Sequence, residues 1–148
     1  MKIEAQWQGK MAFTAKGPTE YELRMDAGID HGGEGSGHSP MELLLLGLSG
    51  CMGINITAIL DKMQQPVDSL KIEITGHQAE DWPKNFTGYD FVVIAEGKAP
   101  ADRVWRAMKM AEEKYCSVSN SLHGGLKMSL VLNGKPVNEV DAVSHSEA

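Results

Sequence analysis

One stretch limits what this chain can fold into more than any other. Residues 39–62 read SPMELLLLGLSGCMGINITAILDK. Ser39 suits an N-cap, Pro40 the first helical position, and Glu42 completes a Ser-x-x-Glu capping box. From Leu43 to Leu60 no polar stripe of helical width interrupts the apolar residues, so the pattern predicts a helix enclosed by the rest of its protein. Gly47, Ser49, Gly50 and Gly53 surround Cys51. Glycine inside a helix costs roughly 1 kcal/mol relative to alanine, so small residues clustered here point to the close approach of another backbone. Cys51 then has two readings, a small buried hydrophobe or a reactive thiol.

A chain of 148 residues fits one domain with a real core, and its 42% hydrophobic and 23% charged residues match a soluble globular protein. A net charge of -6 argues against a nucleic-acid surface, which calls for a basic face. The helical run is expected to be too short and too broken by glycine for a membrane span of about 20 residues. No apolar signal core opens the chain, so a cytoplasmic protein without a membrane partner is expected. Two cysteines in a reducing compartment are no structural framework; a disulfide between them would be transient and redox-active.

Residues 3–7, 11–15 and 20–27 alternate apolar and polar side chains and predict a small antiparallel meander. A loop with five glycines, residues 28–38, follows, and then the central helix. Strands are predicted over 67–78 and 86–96, a helix from Pro100 to Tyr115, a short helix from Ser117 to Leu122, and a strand from Leu126 closed by Asn133-Gly134. This order gives an α+β fold, with residues 1–134 as a single domain and residues 135–148 as a flexible tail. Either both sheets wrap the helix or a second subunit helps, and a dimer is favoured.

The glycine loop lacks a Gly-Lys-Ser/Thr ending and the G-x-G-x-x-G spacing, which leaves a flexible loop or an anion cradle at the helix start. Five histidines lie scattered without ligand spacing and there is no CxxC, so no metal site and no cofactor are expected. Glu42 is accounted for as the partner of Ser39. At about 100° per residue it faces away from Cys51 on an undistorted helix, and a catalytic part for it stays open. Cys116 falls at a helix junction, where the amides that follow could favour a thiolate.

The segments Ser39-Pro40-Met41-Glu42-Leu43-Leu44 and Leu48-Ser49-Gly50-Cys51 resemble the core signature of the OsmC/Ohr family. Residues 111–119, AEEKYCSVS, resemble its second cysteine motif, and the SPME and EKYCSV wording is that of the family's YhfA-like branch. The resemblance implies an OsmC-like fold, antiparallel sheets wrapped around a long buried central helix, in an intertwined homodimer. It also implies reduction of organic hydroperoxides, with Cys51 as the peroxidatic thiol, Cys116 as the resolving thiol and a lipoyl-type dithiol as reductant. Peroxidases of the family carry an arginine in the N-terminal region and a glutamate directly after the motif proline. Here Met41 follows Pro40, and Lys10, Arg24 and His31 are the cations on offer. Without a placed cation, Cys51 is expected to keep an ordinary or burial-raised pKa. The alternative function is therefore a redox-sensing or small-molecule-binding protein on the same fold.

Overall fold

In the computed structural model, which describes residues 1–139 and 142, the chain divides into two compact units, Met1–Leu46 and Gly47–Ala148. The division falls within the central helix α1 (Pro40–Lys62).

The first unit carries the predicted meander as β1 (Glu4–Trp7), β2 (Phe13–Lys16) and β3 (Leu23–Met25), antiparallel in that order. Trp7 lies opposite Phe13 across the first turn, where Gly9 and Lys10 both take positive φ. The glycine loop that follows is fastened around one carboxylate. Asp26, almost fully buried, accepts from the Ser36 hydroxyl (2.6 Å) and from the Ser36 and Glu34 amides (3.0 and 3.2 Å). These bonds, led by the Ser36 hydroxyl, hold the Asp26 carboxyl below its ordinary range. A Cβ at Gly33 would run into the Ala27 carbonyl, so the loop closes only with glycine there. His38 returns to β3 through its amide and carbonyl and delivers the chain to α1.

The capping box predicted at the start of α1 is formed: the Glu42 amide donates to Ser39 Oγ and the Ser39 amide to Glu42 Oε2, both at 3.2 Å. At 23 residues, with an 18-residue stretch of mean hydropathy 2.0, α1 is long and apolar enough to cross a membrane by length and composition alone, which corrects the expectation that it is too short. Leu48, Met52, Ile56, Ile59 and Leu60 are nevertheless buried within the chain, as in a core helix. Enclosure is one-sided, since Leu44, Leu46 and Ile54 stay 40%, 46% and 71% exposed.

The second unit holds β4 (Ser69–Gln78), β5 (Phe86–Glu96), β6 (Gly125–Leu132) and β7 (Lys135–Val137), side by side in that order. Between β5 and β6 come α2 (Ala101–Met110), a π-turn (Ala111–Tyr115) and α3 (Ser117–Ser121). Because this crossover returns the chain to the same end of the sheet, β5 and β6 pair in parallel, the one pair to depart from the antiparallel expectation. Tyr89, Phe91, Val93 and Ala95 of β5 are buried, as are Val104, Trp105, Ala107 and Met108 of α2. A Cβ at Gly53 would meet Ile72 at 3.1 Å, so α1 lies directly against β4. The first three residues of the predicted tail form a strand instead. Asn133 and Gly134 both have positive φ and make a two-residue hairpin, so Lys135–Val137 pairs with β6, and Trp105 donates to the Val137 carbonyl (3.2 Å). The rest of that stretch, Ala142 apart, lies outside the described residues from 140 onward.

Candidate functional site

Cys51 sits in the middle of α1, half-buried, and Cys116 is fully buried between the π-turn and α3. The fold brings these two thiols, 65 positions apart in the chain, close enough for each to shift the other's ionisation. From the Cys116 side the backbone amides of Val118 and Ser117 also favour the charged form of Cys51. From its own helix, Asn55 places its side-chain amide 3.8 Å from the Cys51 sulfur and 2.9 Å from the Cys51 carbonyl.

These contacts decide the charge state of the pair. Burial pushes the Cys51 thiol up, but the Cys116 thiol, the two amides and Asn55 all favour the thiolate, and together they bring Cys51 below the ordinary thiol value. Burial pushes Cys116 up, the adjoining Cys51 sulfur pushes it further, and Ser119 opposes both only in part. Cys51 is therefore the member that ionises first, and Cys116 the one that holds its proton longer. This corrects the expectation of an ordinary or raised pKa for Cys51: the Cys116 thiol, and after it backbone and amide donors, depress it where no charged side chain is among the leading causes.

The other sequence candidates have separate engagements in the first unit. Glu42 binds the Ser39 amide and stands 3.3 Å from His38 Nδ1. Lys10 pairs with Glu34, and Arg24 Nε donates to Ser36 Oγ (2.9 Å). Among the described residues no group of three or more His, Cys, Asp or Glu side chains is placed to hold a metal ion.

The profile of the OsmC-like protein family matches residues 33–131, a span that contains both cysteines. The chain belongs to the OsmC-like family. Protein YhfA of Escherichia coli K12 is 29% identical to this OsmC-like chain over 131 residues, covering 87% of the chain and 94% of YhfA. A hypothetical protein from Aquifex aeolicus VF5 superposes with a TM-score of 0.78 at 30% identity, covering 89% of this chain and 95% of that one. The organic hydroperoxide resistance protein OsmC of Legionella pneumophila shares the fold, with a TM-score of 0.66 at 17% identity over 88% of this chain and 94% of its own.

Sequence reasoning missed Asn55, although a signal was present: it lies four residues after Cys51, on the same face of the helix. It also missed that the amides after Cys116 serve the other sulfur. The wide turn that aims them has no sequence signature, since AEEKY is an ordinary helical string.

Proposed function

We propose that this OsmC-like protein reduces organic hydroperoxides with a dithiol, Cys51 being the peroxidatic thiol and Cys116 the resolving one. The observation that carries this reading is the placement of the two thiols where each acts on the other's ionisation, Cys51 drawn below the ordinary thiol value and Cys116 pushed above it. The Cys51 thiolate attacks the outer peroxide oxygen, the O–O bond breaks, and the alkoxide leaves and takes up a proton as the alcohol. Cys51 is now a sulfenic acid. Cys116 sulfur attacks the Cys51 sulfur and gives up its proton, and water leaves as the disulfide forms. A lipoyl-type dithiol then exchanges with that disulfide, returning two thiols and becoming a cyclic disulfide itself.

The same reading makes the working form a cytoplasmic homodimer. The exposed side of α1 supports this: Gly47 and Gly50 have open space where a Cβ would stand, and Ile54 is the most exposed of the helix's large apolar residues. A groove of about 460 Å³ runs beside them, lined by Ser49, Gly53, Thr57, Leu70 and Ile72 among others. That is where a second backbone would come close. Glu42 acts here as the cap that starts α1.

Purified protein given cumene hydroperoxide and dihydrolipoamide should consume the peroxide over many turnovers. Cys51→Ser should lose all turnover, and Cys116→Ser should stop after one equivalent with a trappable sulfenic acid. Equal turnover by Cys51→Ser would sink the proposal. The second reading, a redox-sensing or small-molecule-binding protein, draws on the lack of a charged partner among the leading influences on Cys51. It predicts a Cys51–Cys116 disulfide under mild oxidant without multiple turnover.

A further inference from the structure

The π-turn Ala111–Tyr115 closes with the Cys116 amide donating to the Ala111 carbonyl at 2.7 Å, five residues back. Such a wide turn shifts the register of the hydrogen bonds that follow. The Glu112 carbonyl is instead met by two side chains from α3, Asn120 Nδ2 at 3.1 Å and Ser119 Oγ at 3.4 Å. The same two side chains also hold the Cys116 carbonyl, at 2.9 and 3.0 Å, and the Asn120 amide adds a third donor to it at 3.2 Å. Ser119 in addition turns its own amide to the Cys116 sulfur at 3.3 Å. Two consecutive residues therefore grip the turn at both its beginning and its end.

Between the turn and the two residues that grip it lie the groups that act on Cys51: the Cys116 thiol and the Ser117 and Val118 amides. We propose that Ser119 and Asn120 form a clamp on the π-turn, positioning residues that keep these three donors aimed at the Cys51 sulfur. Without the clamp, the Glu112 and Cys116 carbonyls lose their side-chain donors and the segment is free to relax toward ordinary α-helical bonding, which would swing Ser117 and Val118 away. The inference deepens the peroxidase reading, in which Cys51 is the reacting thiol, but its test needs no peroxide. The charged groups of the turn itself are Glu112, Glu113 and Lys114. Burial raises the Glu112 carboxyl and Glu113 adds to that, so Glu112→Gln serves as a control that separates its titration from that of the thiol.

The measurement is the rate of iodoacetamide alkylation at Cys51 against pH, followed by mass spectrometry of its peptide so that Cys116 does not contribute. Asn120→Ala and Ser119→Ala should each move the Cys51 profile to higher pH, and the double variant further, lowering the rate at pH 7 by roughly three- to tenfold as the thiolate fraction falls. Ser119→Thr keeps the hydroxyl and should keep the native profile. Asn120 is exposed, so its replacement leaves the core untouched. If circular dichroism shows the double variant unfolded, the single variants decide. A native profile in both folded single variants overturns the clamp. If the wild type turns over no hydroperoxide yet the profiles shift as stated, the clamp stands and the peroxidase reading falls.

Discussion

Asn55 gains its place from two contacts made by one amide, to the carbonyl and to the sulfur of the residue one turn earlier. The carbonyl bond fixes the side chain, and the sulfur contact at 3.8 Å is long, so its influence on the thiol is smaller than that of the opposing amides. Asn55→Ala should therefore raise the Cys51 pKa modestly and slow alkylation at pH 7 by about threefold, since a hydrogen bond to the charged form is lost. Asn55→Asp should raise it more, because a carboxylate would then face the thiolate. Both are read from the same pH profile, and a downward shift in either would refute the assigned role. At this scale the sequence was legible where a motif names a residue: the two cysteines and the Ser39–Glu42 cap were all visible. It was silent on the thiol's charge state. A search for a cationic side chain could not find a sulfur served by the backbone amides of residues 66 and 67 positions away.

Among the elements, α1 shows how an apolar pattern can be right while its consequence differs. The run of apolar residues does form one long helix, but a single chain covers one side and leaves Ile54 facing outward. Ile54→Glu puts a charge on that open side and should convert a dimer to a monomer in sedimentation velocity, with the helix content kept. A variant that sediments like the wild type would remove α1 from any subunit interface. Strand positions were legible from alternation, and β5 falls on the predicted residues 86–96. Pairing direction was not, since alternation in β5 and β6 is the same whether they run parallel or antiparallel. The hairpin into β7 was signalled by Asn133-Gly134, which was read as a stop rather than as a turn.

Taken whole, the molecule sets a thiol of its longest helix beside a thiol inside the β5–β6 crossover. A disulfide between them would close a loop of 65 residues and remove about 4 kcal/mol worth of chain entropy from the unfolded state. The oxidised protein should melt higher than the reduced one, by on the order of 10 °C for a chain of this size, in differential scanning with and without dithiothreitol. An equal or lower melting temperature after oxidation would show that the bond strains the fold by as much as the loop gains. The relation also runs in reverse. If oxidation steadies the fold, the fold steadies the oxidised sulfurs, lowering their reduction potential by about 90 mV relative to the same pair in a loose chain. A reductant that closes its own ring as it gives up electrons can overcome such a difference, whereas a monothiol must bring two molecules together. The distance these cysteines span along the chain thus favours the kind of reducing agent that can return the protein to work.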